Sequence, residues 1–173
     1  MTKIEYVKGD ATQPIGDGKK LLIHCCNNCV PGKWGAGFVV ALSKRWKQPE
    51  VQYRKWSKGY CEGALYQLGE VQFVKVEDDI VIGNMIGQDG VGTSHGIPPI
   101  RYSAIVQCLY KVKEAAIHNK ASVHCPRFGA GLAGGDWNKI EEIIKSTMEV
   151  DTYVYTLPNQ KDKWKGTAYE NWD

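Results

Sequence analysis

Apolar positions in this chain follow two alternating periods. Short apolar or apolar–polar runs at 4–7, 21–25, 71–76, 80–85, 121–126 and 152–157 predict strands. Between them, apolar residues spaced three and four apart predict helices over 37–46, 101–118 and 136–148, with a further one over 49–57. The plainest helix is 101–118, where Ala104, Ile105, Cys108, Leu109, Val112, Ala115 and Ala116 keep the helical period behind Pro98 and Pro99. The run Leu21-Leu22-Ile23-His24-Cys25-Cys26 is apolar nearly throughout, as a strand buried on both faces must be. Strands alternating with helices make a three-layer α/β domain. Only Glu77-Asp78-Asp79 joins the third and fourth strands, which implies a hairpin and hence a mixed six-stranded sheet.

Two of the strand-to-helix junctions are glycine loops. Pro126-Arg127-Phe128-Gly129-Ala130-Gly131-Leu132-Ala133-Gly134-Gly135-Asp136-Trp137 separates the fifth strand from the last helix. Asn27-Asn28-Cys29-Val30-Pro31-Gly32-Lys33-Trp34-Gly35-Ala36-Gly37-Phe38 separates the second strand from the first helix. Glycine lets a backbone approach a ligand closely, and a following helix start presents unpaired N–H groups and a positive dipole end to an anion. The structural alternative is turn punctuation with Asp136 as a helix N-cap. In an open α/β sheet such loops gather at the carboxyl ends of parallel strands, where two can close on one diphosphate.

Composition bounds this picture without choosing it. The 173 residues, 43% hydrophobic and 24% charged, suffice for a core and suit one domain, residues 1–173. The net charge of +3 comes from interspersed Lys and Arg, which argues against nucleic acid as a partner. No long apolar stretch or signal peptide is visible, so a cytoplasmic protein without membrane contact is expected, and a monomer.

The 6 cysteines suggest reduced thiols rather than a disulfide framework. Cys26-Asn27-Asn28-Cys29 is formally a CxxC, but Cys61, Cys108 and Cys125 are isolated, so neither metal nor cofactor is expected. His124-Cys125 lacks the arginine six residues on that a cysteine phosphatase needs for bidentate phosphate binding, the position being Gly131, so Cys125 reads as a buried strand residue. Gly129 to Gly134 spells GxGxxG, with Glu149 downstream, yet only one helix and one strand follow it, which is not the Rossmann arrangement.

Gly9-Asp10-Ala11-Thr12 after the first strand, the Asn27–Phe38 loop and the run from Gly129 to Leu132 together resemble the macro domain, an ADP-ribose-binding fold. The resemblance spans nearly the whole chain. It is nearest the subgroup of the yeast-type ADP-ribose 1''-phosphate phosphatase and its bacterial relatives, through Leu22-Ile23-His24-Cys25-Cys26-Asn27, Trp34-Gly35-Ala36-Gly37 and Gly131-Leu132-Ala133-Gly134-Gly135-Asp136-Trp137.

That resemblance implies an α/β/α macro domain and a set of roles. Asp10 would accept from the adenine amino group beside Ala11, and Asn27 would hydrogen-bond the distal ribose. Gly35, Ala36, Gly37 and Phe38 would form one loop over the ligand, and Gly129, Ala130, Gly131, Leu132 and Ala133 the diphosphate loop, both working mostly through backbone N–H groups. Leu157, Pro158 and Asn159 fall where the family closes over adenine, though their side chains match poorly. His24 and Asp136 are the candidate catalytic groups, since imidazole can activate water or protonate a leaving oxygen. Each has a structural alternative: a strand histidine bonded to a neighbour, and a helix N-cap. The lysine and aspartate of the glutamate-deacylating branch fall at Met85 and Ala133, so a lysyl-sugar intermediate is not available, and water would attack directly without a metal. The expected function is ADP-ribose binding with hydrolysis of ADP-ribose 1''-phosphate. The alternatives are a non-catalytic reader of ADP-ribose or ADP-ribosylated protein, and a hydrolase removing ADP-ribose from protein or nucleic acid.

Overall fold

In the computed structural model, which describes residues 3–157, all the predicted elements form. The strands are β1 (Ile4–Lys8), β2 (Lys20–Asn27), β3 (Val71–Glu77), β4 (Ile80–Gln88), β5 (Ser122–Cys125) and β6 (Thr152–Thr156). The helices are α1 (Phe38–Arg45), α2 (Gln48–Ser57), α3 (Tyr102–Asn119) and α4 (Trp137–Thr147). The sheet order is β1-β6-β5-β2-β4-β3. The first five strands in that order run parallel, and β3 pairs antiparallel with β4 through the turn at Asp78-Asp79.

Strand alternation sends successive side chains of β2 to opposite faces. Leu21 and Ile23 join α3 and α4 in one core with Val123, Cys125 and Val154. Leu22 and Cys26 join α1 and α2 in the other, with Trp34, Trp46, Ile82 and Ile86. Both faces of the central strands are thus covered, which explains the near-continuous apolar run read from the sequence. The buried face of α3 is Ala104, Ile105, Cys108, Leu109, Val112 and Ala116, in the expected period. No helix of the described residues is long and apolar enough to cross a membrane.

The chain leaves β2 toward β4 and leaves β5, through α4, toward β6, which lies on the other side. Adjacent parallel strands whose connections diverge in this way define a crevice at their carboxyl ends, where open α/β sheets take ligands. Both glycine loops open onto that crevice.

Candidate ligand-binding site

The second loop begins where Pro126, lacking an N–H, ends β5. It is folded by its own backbone: Gly134 N donates to Gly131 O at 3.0 Å, Gly135 N to Gly129 O at 2.8 Å, and Ile100 N to Ala133 O at 3.1 Å. Gly129 sits at φ 77, and a Cβ on it would lie 2.5 Å from Ile100 Cδ1. Among the described residues, the N–H groups of Gly131, Leu132 and Ala133 donate to no protein acceptor. Three consecutive unclaimed donors on a glycine loop are the makings of an anion cradle.

The first loop is built differently. Asn27, buried at the end of β2, turns its side-chain amide into the 28–33 segment. Its Nδ2 donates to Lys33 O at 2.8 Å, and its Oδ1 accepts from Cys29 N at 3.1 Å and Lys33 N at 3.3 Å. The Tyr53 hydroxyl of α2 lies 2.7 Å from Asn27 O and 2.9 Å from its Oδ1, and the Tyr66 hydroxyl donates to Cys29 O at 2.6 Å. Burial pushes the Tyr66 phenol up to about 12, so it stays a donor. Gly32 N donates to Ser57 Oγ at 2.9 Å, and Arg54 Nη1 donates to Gly32 O at 3.2 Å. The Asn27 amide predicted to hold a ribose is thus engaged in holding the loop.

Beyond this support the first loop turns outward. Gly35, Ala36 and Gly37 are exposed, and Gly37, at φ 84, precedes α1 with no side-chain cap. Among the described residues, the N–H groups of Gly35, Ala36, Gly37 and Phe38 donate to no protein acceptor. An uncapped helix start leaves such donors for water or a ligand. The two loops meet here: a Cβ on Gly37 would come 3.3 Å from Cδ1 of Leu132, which is itself 68% exposed.

His24 lies beneath the first loop and is 1% exposed. Asn84 Oδ1 can only accept, so His24 Nε2–H donates to it at 2.6 Å. Asn84 Nδ2 in turn donates to Gln72 Oε1 at 3.1 Å and Pro49 O at 3.2 Å. The ring packs edge-on against Trp34, at 5.3 Å between centroids, and against Phe38 at 5.8 Å. Burial lowers its pKa to about 4, outweighing the bond to Asn84. This is a neutral, interior imidazole, and the strand-histidine alternative describes its surroundings.

Asp136 is exposed and caps α4, its Oδ1 accepting from Asn138 N at 2.9 Å. Its own N–H donates to the Tyr102 hydroxyl at 2.9 Å. The two predicted catalytic side chains are therefore each engaged locally, one in the α1/α2 core and one at a helix start. Asp10 closes an Asx turn after β1, Oδ1 accepting from Thr12 N at 2.9 Å and Thr12 Oγ1 at 2.8 Å, with Ala11 buried beside it. Pro158 and Asn159 lie outside the described residues.

Sequence reasoning missed Tyr53 and Tyr66, whose spacing carries no signal for a loop so far away in the chain. It also missed the β4–α3 connection. Gly90 N donates to Asn28 Oδ1 at 2.9 Å, Asn28 Nδ2 donates to Asp89 Oδ1 at 3.2 Å, and a Cβ on Gly134 would meet Pro98 Cβ at 2.7 Å. That connection flanks both glycine loops.

No family model matches the chain. A macrodomain protein from Streptomyces coelicolor has a solved structure 42% identical, covering 89% of this chain and 99% of that one with a TM-score of 0.77. A Bacteroides thetaiotaomicron protein of unknown function is 52% identical over 90% of this chain and 99% of its own, with a TM-score of 0.84. The chain belongs to the macrodomain family. Among curated relatives, the mouse chromodomain-helicase-DNA-binding protein 1-like is 30% identical over 92% of this chain, which spans only 18% of that protein's length. The Candida albicans ADP-ribose 1''-phosphate phosphatase is 25% identical, covering 89% of this chain and 99% of its own.

Proposed function

We propose that this macrodomain binds ADP-ribose in the crevice between β2 and β5 and hydrolyses ADP-ribose 1''-phosphate to ADP-ribose and phosphate. The observation that carries the reading is the pair of touching loops with unclaimed N–H groups at Gly35–Phe38 and Gly131–Ala133. A diphosphate offers the run of acceptor oxygens that such donors match. Asp10, at the end of β1, accepts from the adenine amino group. The phosphatase step is supported by the Candida albicans relative, matched along nearly its whole length. In this reading water attacks the phosphorus directly.

A second reading, a reader of ADP-ribose that does no chemistry, is favoured by one observation. His24 is buried on Asn84 and the Asp136 carboxylate caps α4, so neither stands free over the crevice. Incubation with ADP-ribose, ADP-ribose 1''-phosphate and ADP-ribosylated protein separates the readings. Release of phosphate from the second compound, with calorimetric binding of the first, is the result expected. Binding without consumption of any of the three leaves the reader, and absence of binding removes the site itself.

A further inference from the structure

Resting on the phosphatase reading, we propose that His95 is a catalytic residue, the imidazole that acts on the distal phosphate of ADP-ribose 1''-phosphate. The chain has four histidines. His24 and His124 are buried, each with its ring bonded inside the protein: His24 to Asn84, and His124 to Ser122 Oγ and the Tyr155 hydroxyl, both at 2.7 Å. His118 is in the last turn of α3, an 18-residue helix that begins beside the second glycine loop, so the helical rise carries it roughly 25 Å away. His95 is the one left at the crevice end of the sheet.

Its placement is a built one. Residues 89–100 connect β4 to α3 and are fastened to both loops: to the first through Asn28, and to the second through Ile100 N on Ala133 O and Pro98 against Gly134. At the tip, Ser94 and Ile97 exchange backbone hydrogen bonds at 3.0 and 2.9 Å, closing a two-residue hairpin turn over His95 and Gly96. Both turn residues have positive φ, 54 at His95 and 76 at Gly96, the backbone of a type I′ turn. Glycine or asparagine would occupy the first of these positions with less strain. His95 shares a positive φ with Lys120 and Glu149, the other two non-glycine residues so placed among those described. Ser94 Oγ lies 3.1 Å from His95 Nδ1, which orients the ring and leaves Nε2 with no protein partner among the described residues.

In the step proposed, the oxygen of water forms a bond to phosphorus as the bond from phosphorus to the ribose oxygen breaks. The imidazolium gives its Nε2 proton to the departing ribose oxygen, and the proton shed by the attacking water restores the imidazolium. Atoms and charge balance as ADP-ribose and phosphate, without a further reactant.

The test uses the full chain with His95→Asn and His95→Gly, both of which suit a positive φ and so preserve the hairpin. Phosphate release from ADP-ribose 1''-phosphate should fall by roughly 100-fold or more, the usual contribution of a positioned acid or base. Calorimetric affinity for ADP-ribose, which lacks the distal phosphate, should be unchanged. Added imidazole should raise the rate of His95→Gly and not that of the parent. An active parent with an equally active His95→Asn overturns this inference and leaves the phosphatase reading standing. A parent that binds ADP-ribose and releases no phosphate overturns both.

Discussion

The two glycine loops present the same kind of donor to the same crevice and are held in place by opposite means. The second is shaped from within, by backbone hydrogen bonds and by glycines at positive φ whose Cβ would strike Ile100 or Pro98. The first is shaped from outside, by the Asn27 amide and by hydroxyls from Tyr53, Ser57 and Tyr66. Hence the second should be vulnerable to atoms added at Gly129 and Gly134, and the first to the removal of the hydroxyls that hold it. Opposite responses to substitution are the sign that the comparison is sound.

The largest effect is expected from Gly129→Ala. Forcing a Cβ onto a residue at φ 77, and against Ile100, combines left-handed strain with overpacking, together about 2–5 kcal/mol. Denaturant unfolding and calorimetry should show lower stability and weaker ADP-ribose binding together. A variant as stable as the parent would mean that the second loop tolerates added volume and that the contrast is false.

Acid is the next probe, because each loop adjoins a strand carrying a buried histidine. His24 and His124 are both depressed to about 4 from an ordinary 6.5, by burial above all. The unfolded chain therefore binds protons that the folded one refuses between those values. Stability should be complete above pH 6.5 and fall as the pH drops toward 4, by about 3 kcal/mol per histidine. His24→Gln cannot titrate and should remove one such share, while His124→Gln removes the other. If neither variant flattens the acid limb of chemical denaturation, the rings are solvated in a way that their burial denies.

Tyr53→Phe is the corresponding deletion in the first loop. It leaves the core volume intact and takes away the hydroxyl that reaches both the carbonyl and the amide of Asn27. Stranding buried partners costs about 1–3 kcal/mol. ADP-ribose affinity should fall with stability as the 28–33 turn loosens. Loss of neither would transfer the first loop's support to Asn27, Ser57 and Tyr66.

This asymmetry also explains what could be read from the sequence. All six strands, all four helices and the hairpin at Asp78-Asp79 were legible, because buried strands and amphipathic helices write their periods into the chain. The second loop was legible as a tight glycine turn because its architecture is its own glycines. The first was legible only in outline. Asn27 reads as a ligand contact from the sequence, and the convergence of Lys33, Tyr53 and Cys29 on its amide exists only after folding. His24 follows the same pattern: its position in the sequence suits chemistry, and Asn84, 60 residues on, is hydrogen-bonded to it only in the fold.

Gly131→Val gives the smallest expected change in free energy and the cleanest separation of fold from ligand. Gly131 has no positive φ, and among the described residues a Cβ on it would meet nothing within 4 Å. Valine should therefore fold into the protein with stability within experimental reach of the parent's. Its branched side chain would project beside the unclaimed N–H groups of Leu132 and Ala133, where the proposed diphosphate would approach. Binding of ADP-ribose should weaken by at least about tenfold, equivalent to about 1.4 kcal/mol. In the second loop, then, Gly129 serves the fold, and the proposed binding assigns Gly131, two positions on, to the ligand. Calorimetry that finds a stable Gly131→Val protein with undiminished affinity would move the phosphates elsewhere and leave the loop a turn.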